Sequence, residues 1–544
     1  MVVLSQASQN RRERTDPRGP SPYSYDSVGS GSVLSSPTEK LTQPFRVTGR
    51  AWDAEVGETV LCRIFRVRAQ KSVIPLIVIL MLNTPAAYGQ GNRPITFVVR
   101  AEQPGWQGAV CWVEKGVPVE VRASGNWTMN VNVPKMRYVG PEGYNNKHGE
   151  FRLGALILQI GCHTDDLSRK ENPKRLPVVV ERHAVPGQLV VTPQHGGLVY
   201  FYVNDVQDPP AWNNFNDNAG EMQVTIVGAL RVAVIGKGSS VLRGWPKSVA
   251  GITAPWGEFH GGHVILTLPI EQMRQVKDPA SVMEWFDTLY LHYCDLDGRL
   301  PSARKERFVP DVELSRGLAH AGYPIMYTAS PMRPPSQGDI VQLEANLARD
   351  AAGQSDGASL ATARNTWAFM HELGHNFQRE DYTFEGTLEV TNNIFVLYAS
   401  DKMDLKHVMD HVVNGPGGHY GSRRLGFSKS LDYMASGAKF DDWKKDQCLA
   451  LYFYTELIDE FGWDALKRMF RVYWSLPSDQ RPRNNDEKRD LFLIVMSRCT
   501  NCNLAPFMDR WGIPISLKAR AAVSRLRPWS GPAAAVEPPP PATQ

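Results

Sequence analysis

The stretch WAFMHELGHNFQ, residues 367–378, decides how the rest of the chain is read. Trp367, Met370, Leu373 and Gly374 recur at helical intervals, so the segment is expected to be a helix with one apolar face. Side chains four residues apart on a helix lie one above the other, so His371 and His375 share a face and both imidazoles can reach one zinc ion. Glu372 is displaced round the helix, where it can touch an activated water without ligating the metal. H-E-x-x-H in this context is expected to be a catalytic zinc motif with Glu372 as general base. The bland alternative for the same letters is a pair of solvated helix histidines.

A catalytic zinc needs a third protein ligand and an open position for water. Downstream lies FEGTLEVTNNIF, residues 384–395, whose apolar spacing from Leu388 through Leu397 reads as a second helix begun by Gly386 and Thr387. Glu380, Asp381, Glu385 and Glu389 are all candidate ligands. Glu389 is favoured because it lies inside that helix, where a facing residue is held rigidly; the next histidine, His407, is distant. Tyr398 and His407 are considered as oxyanion donors, although a tyrosine in an apolar helix is more often core. Residues Trp443 to Tyr473 have helical period and are expected to pack as a bundle behind the site.

HELGHNFQ followed by GTLEVTNNIF resembles the enhancin-like, mucin-degrading metallopeptidase family. PWGEFHGGHVILTLP (255–269), ERFVPDVELSRGLAHAGYPIM (306–326), FGWDALKRMFRVY (461–473) and NLAPFMDRWGIPIS (503–516) carry the likeness over roughly residues 230 to 518. The resemblance implies a zinc endopeptidase of the gluzincin type, with an α+β catalytic domain and a helical C-terminal subdomain. It further implies O-glycosylated substrates such as mucins, frequent attachment to carbohydrate-binding modules, His371, His375 and Glu389 as zinc ligands, and Glu372 as general base. Within 255–269, Gly261-Gly262 permits close backbone approach, making this strand a candidate border strand for a bound peptide; a simple bulge is the alternative. His260 and His263 read as surface residues rather than ligands.

Residues 91 to about 232 read differently. ITFVVRAEQ, VPVEVRAS, RLGALILQIG, LPVVVERH, GQLVVTP, LVYFYVND and MQVTIVGAL are short runs bounded by Gly, Pro, Asn or Asp, the pattern of an antiparallel all-β sandwich. Between the last two lie Asp205, Asp208, Asn213, Asn214, Asn216, Asp217, Asn218 and Gly220. Such oxygen-bearing side chains can cage calcium, and they also simply make turns. GPEG (140–143), GALILQIG (154–161) and YVND with NDNAGEMQVTI (216–226) resemble the calcium-dependent galactophilic lectins of the PA-I type. Carried over by position, the resemblance implies Asp205, Asp217 and Asn218 as calcium ligands, His148 as the counterpart of a sugar-contacting histidine, and binding of galactose or another glycan. A cation-free structural sandwich is the alternative.

The first 89 residues divide in two. Residues 1 to about 45 are rich in Ser, Pro, Arg and Gly and read as disordered. Arg63, Arg66, Arg68 and Lys71 then precede the apolar run VIPLIVILML (73–82), with small Ala87 and Gly89 before Gln90. That order is expected of a signal peptide, near residues 60–89, and of secretion; a buried strand is the alternative. The run is too short for a transmembrane span. Residues 516–544 form a Pro-rich tail, which leaves 233–515 for the peptidase domain. Sixty Lys plus Arg against 56 Asp plus Glu leave a charge of only +4, which implies no nucleic-acid partner. Cys499 and Cys502 make one C-x-x-C without the second pair a zinc site needs, and read as local structure or a disulfide.

The expectation is therefore a multidomain, secreted zinc endopeptidase that cleaves O-glycosylated, mucin-type glycoproteins and is tethered to glycans by its N-terminal module. The alternative is a glycan-binding adhesin or interaction protein with a non-catalytic peptidase-like domain.

Overall fold

The computed structural model describes residues 93–133, 135–161, 181–205, 215–311, 319–328, 339–352, 360–405, 408 and 423–532. The expected signal peptide, Asp208, Asn213, Asn214 and His407 lie outside them.

Two antiparallel sheets face each other at the N-terminal end. One has the order β1 (Ile95–Arg100), β10 (Ala219–Val227), β3 (Val119–Thr128) and β8 (Gln188–Val191). The other has the order β11 (Leu230–Arg231), β2 (Gln107–Val113), β9 (Gly197–Val203), β6 (Leu156–Ile160) and β7 (Glu181–Ala184). Alternation sends Val99, Val121, Val224 and Ile226 from the first sheet, and Leu158, Ile160, Val199 and Phe201 from the second, into one core. Trp127 is fully buried there, and its indole N–H donates to the Gly154 carbonyl at 2.7 Å. A two-residue-strand hairpin, β4 (Lys147–His148) and β5 (Phe151–Arg152), stands beside the sheets.

Strand β9 has no solvent face. Val199 and Phe201 point into that core, while Leu198 and Tyr200 point the other way into a second cluster with Trp256, Val309 and Met326. This double burial explains why LVYFY is continuously apolar rather than alternating. The second cluster is the contact with a mixed six-stranded sheet. Its order is β12 (Ala233–Gly236), β13 (Trp256–His260), β14 (Val264–Pro269), β15 (Glu306–Asp311), β17 (Ile325–Thr328) and β16 (Ala319–His320). Period-two alternation decides its two faces: Val309 and Met326 meet the N-terminal layers, while Phe308, Ile325 and Tyr327 join the helical core.

An ion pair is sealed on the N-terminal face of this sheet. The guanidinium of Arg307 meets the carboxylate of Glu258, donates to the Thr267 hydroxyl at 2.8 Å and lies 4.9 Å from the Tyr200 ring centre. Burial works to raise the Glu258 pKa, but Arg307 and His260 outweigh it and hold the carboxyl below its ordinary value.

Helices α1 (Ile270–Gln275), α2 (Pro279–Asp297), α3 (Ile340–Ala351), α4 (Leu360–Phe377) and α5 (Leu388–Lys402) cover the opposite face. The ends of α2 follow local chemistry: Asp278 caps the Ser281 N–H, Pro279 opens the first turn, and Gly298 closes it at φ 77°. The stretch of helical period from Trp443 to Tyr473 is made of more than one piece. A short helix ends at Trp443, and Gln447–Ser475 is broken at Gly462, whose φ of 69° leaves the helical region. This segment and Asn485–Thr500 pack behind α5 through Phe453, Phe470 and Phe492. No described helix is long and apolar enough to cross a membrane. Cys499 and Cys502 are both free.

Candidate metal centre

Helices α4 and α5 make the site by close approach. A Cβ on Gly374 would stand 2.6 Å from the Asn392 carbonyl oxygen, so only glycine lets the two backbones come this near. Helix α5 starts after Gly386, at φ 79°, and Thr387, whose hydroxyl donates to the Phe384 carbonyl at 2.8 Å. Glu389 is thereby placed in the first turn, facing the two histidines of α4.

Three atoms converge. Glu389 Oε2 lies 3.0 Å from His371 Nε2 and 3.2 Å from His375 Nε2, and the two nitrogens are 3.2 Å apart. No other group of three or more His, Cys, Asp and Glu among the described residues is so placed.

The surrounding amides fix the tautomers. Asn393 donates through its Nδ2 to the Glu389 carbonyl at 2.9 Å, so its Oδ1, 3.1 Å from His371 Nδ1, must accept. Gln378 donates through its Nε2 to the Leu388 carbonyl at 2.7 Å, so its Oε1, 3.0 Å from His375 Nδ1, must accept as well. Both histidines therefore carry a proton on Nδ1 and turn an Nε2 lone pair inward. Trp367 fixes the first ring further, lying 4.3 Å from the His371 centroid and donating its N–H to Asn393 at 3.1 Å. Asn392, fully buried, sets its Nδ2 at 2.9 Å from His375 Nε2 and at 3.1 Å from both ring nitrogens of His371.

Lone pairs so crowded repel unless a metal ion, or a proton on one Nε2, joins them. Burial lowers the His375 pKa, but Glu389 and Gln378 outweigh it, so the imidazole holds a proton more readily than usual. In the metal-free protein an added proton on either Nε2 is donated to Glu389, and these hydrogen bonds hold its carboxyl well below the usual carboxylate range. Glu372 is half-buried and does not join the trio; burial, reinforced by Glu389, raises its pKa against the opposing charges of His371, His375 and His320. A carboxylate with a raised pKa beside a cation site suits proton acceptance and return.

The rival acidic residues turn elsewhere. Asp381 accepts from Arg379 at 3.1 Å, Glu380 pairs with Lys488 at 3.2 Å, and Glu385 pairs with Arg489. Tyr398 is buried and donates its hydroxyl to Asp295, so it does not face the trio. His260 contacts Glu258 at 2.6 Å, and His263 stacks on Tyr290 at 5.0 Å.

Residues 255–269 are not a border strand: β13 and β14 lie inside the sheet, flanked by β12 and β15. Among the described strands the border beside α4 is β16. Its turn is held by Asn376, which accepts from the Gly322 N–H at 2.9 Å and donates to the Gly322 carbonyl at 3.0 Å.

In the N-terminal module, Asp205 and Asn218 come together but as donor and acceptor. The Asn218 amide donates to Asp205 Oδ2 at 2.8 Å and to the Ala101 carbonyl at 3.1 Å. Asn218 Oδ1 is buried with no partner among the described residues. Asp217 is half-buried, and its backbone carbonyl accepts from Val131 at 2.7 Å. His148 lies on β4, its carbonyl accepting from Asn204 at 2.9 Å.

Asn392, Asn393 and Gln378 were not singled out from sequence. Their signal is polar residues three and four positions after Glu389, and three after His375, within otherwise apolar helical runs.

Two helices that pool His, His and Glu under a mixed sheet define a site of the metallopeptidase kind. The chain belongs to the peptidase M60 family, enhancin and enhancin-like, whose profile matches residues 228–347 and 350–512. It is 30% identical over 378 residues to TRPM8 channel-associated factor 2 of Bos taurus, a match covering 69% of this chain and 37% of that protein. The chain thus spans well under half the length of this relative. Its fold is similar to that of a conserved protein of unknown function from Bacillus anthracis (TM-score 0.56, 16% identity, 80% of each chain). It is also similar to IMPa from Pseudomonas aeruginosa, solved in complex with an O-glycopeptide (TM-score 0.52, 15% identity, 81% of this chain and 52% of that one).

Proposed function

We propose that the chain is a zinc-dependent endopeptidase acting on O-glycosylated, mucin-type glycoproteins. The observation that carries this reading is the convergence of two tautomer-fixed imidazole lone pairs and one carboxylate oxygen, 3.0–3.2 Å apart, with Glu372 beside them. Donor atoms bound to a tetrahedral zinc at the usual lengths stand about 3.3–3.6 Å apart, so the cluster needs only slight opening to hold the ion. His371, His375 and Glu389 would be its ligands. Zinc held there supplies Lewis acidity, lowering the pKa of a water and polarising a carbonyl. Glu372 accepts the proton that the attacking water loses and returns it to the departing amine. Asn393 and Gln378 keep both ring orientations fixed throughout.

The glycoprotein substrate class is supported by family membership and by the O-glycopeptide carried by IMPa. The N-terminal module is proposed to bind glycans, with Asp205, Asp217 and Asn218 as a calcium site. Export through the apolar segment 73–82 completes the reading, and N-terminal sequencing of material recovered from medium tests it.

The decisive experiment digests a mucin and its deglycosylated form with the wild type and with Glu372→Gln. We expect cleavage of the mucin, less or none of the deglycosylated form, and a loss of roughly 10²- to 10⁴-fold in the variant with zinc retained. Equal cleavage of both forms would remove the glycan requirement, and a fully active variant would remove Glu372 from its role. A second reading, an interaction protein without peptidase activity, is favoured by the channel-associated naming of the curated relatives. Failure of the zinc-loaded wild type to cleave either form would select it.

A further inference from the structure

A continuous line of contacts runs from the N-terminal module to the helix that carries the metal cluster. It begins at the turn between β1 and β2. Gly105, at φ +81°, leaves so little room that a Cβ would stand 3.1 Å from Arg304 Cγ and Cδ and 3.3 Å from the Tyr323 hydroxyl. Trp106 meets Tyr323 edge-on, with ring centres 5.4 Å apart, and packs on Tyr200 at 5.0 Å. Arg304 lies over the same Tyr323 ring at 4.4 Å and donates to Glu306 at 2.8 Å, both charges being buried. The second oxygen of Glu306 accepts from Asn376 at 3.0 Å. Asn376, next to His375 on α4, is the residue that clamps Gly322 in the turn between β16 and β17.

The line closes on one object, the short hairpin Ala319–Thr328, which Trp106 and Arg304 meet through Tyr323 and Asn376 meets through Gly322. Among the described residues its outer strand is paired at two positions, Ala319 opposite Tyr327 and His320 opposite Met326. The inner strand β17 is paired with β15 from Ile325 to Thr328, and the turn ahead of it is held from two further sides, by Asn376 from the catalytic helix and by Trp106 from the N-terminal module.

We infer that Trp106 is a positioning residue: through Tyr323 it holds the border strand β16 in register with α4, so that the N-terminal module helps to shape the binding edge of the metal centre. The mechanical part of this inference stands on the contacts alone. Its consequence for substrate rests on the peptidase reading proposed above.

The test compares full-length wild type with Trp106→Ala, Trp106→Phe and Tyr323→Leu, the last removing the contact from the opposite side should Trp106→Ala fail to fold. Amide exchange over 319–328 should quicken roughly three- to tenfold in Trp106→Ala and Tyr323→Leu, and return towards wild type in Trp106→Phe, as loss of one aromatic contact predicts. With a peptide substrate, KM should rise by a similar factor while kcat and bound zinc stay unchanged, because positioning acts on binding rather than on the proton transfer. Unchanged exchange in the hairpin, or an increase spread evenly over the chain, overturns the inference. So does a fall in kcat at constant KM. A wild type that shows the exchange coupling but cleaves nothing would defeat the peptidase reading and leave the positioning contact intact.

Discussion

The cluster between α4 and α5 and the pair in the N-terminal module are both polar and both rich in oxygen or nitrogen, yet they are built on opposite principles. Around Glu389 three acceptor atoms are pressed together, and the protons that would relieve them are committed outward, to Asn393 and Gln378. Between Asp205 and Asn218 a donor already faces an acceptor at 2.8 Å. The first arrangement is unfavourable until a metal ion or an extra proton joins it; the second is largely satisfied by itself and leaves Asn218 Oδ1 without a partner among the described residues. Polar residues near one another are thus a weak sign of a metal. Lone pairs aimed at one point, with their protons held elsewhere, are a strong one.

The largest break in this contrast should come from Glu389→Ala. Dialysed variant is expected to retain little zinc by elemental analysis, whereas Asp205→Ala should keep the wild-type zinc content; equal retention by both would erase the difference between the clusters. Next in size, Asn393→Ala frees His371 to rotate and change tautomer, and zinc affinity should fall roughly 10- to 100-fold in a competition titration. Asn218→Ala should leave zinc affinity alone and cost about 1–3 kcal/mol of stability in denaturant, since it strips a buried carboxylate of its donor. If millimolar calcium stabilises the wild type but not this variant, the second cluster is a cation site too.

The smallest effect expected is in pH dependence. His375 has a raised folded pKa, so in metal-free protein its contact with Glu389 contributes stability that is complete below about pH 6.5 and is lost as pH rises through the higher folded value. Glu389, depressed in the fold, contributes stability that is present above about pH 4.3 and lost as the medium becomes more acid. Melting temperature of the metal-free protein should therefore decline as pH rises above about 6.5. Zinc-loaded protein should not show that decline, nor should metal-free His375→Ala.

Local periodicity made the heart of the site readable. His371, Glu372 and His375 share one helix, and Gly386-Thr387 announce the helix that brings Glu389, so the sequence alone placed all four on two facing rods. The choice against Glu380 and Glu385 was less secure, because what removes them is Lys488 and Arg489, about a hundred residues downstream. Six strand runs of the N-terminal module are legible through their bounding turns, a seventh, 176–183, lies mostly outside the described residues, and β2 is not legible. Gly108 interrupts its pattern, and the pairing with β9 shifts register between Gly108 and Trp112. The border of the six-stranded sheet was misread for a different reason. Whether a strand lies at an edge depends on the order of crossovers, which no single stretch encodes, and the border strand beside α4 is two residues long among the described residues.

Gly374 has a meaning for how such proteins are recognised. In H-E-x-x-H the two middle letters are conventionally open, yet here the second sets the distance between two helix axes and so decides whether a carboxylate from another helix can complete the cluster. A pattern that leaves this position free describes a pair of histidines. With glycine fixed, and a glutamate beginning a helix shortly downstream, it describes a three-point grip, and a designed library that randomises the position would lose that grip in most of its members before any histidine was touched.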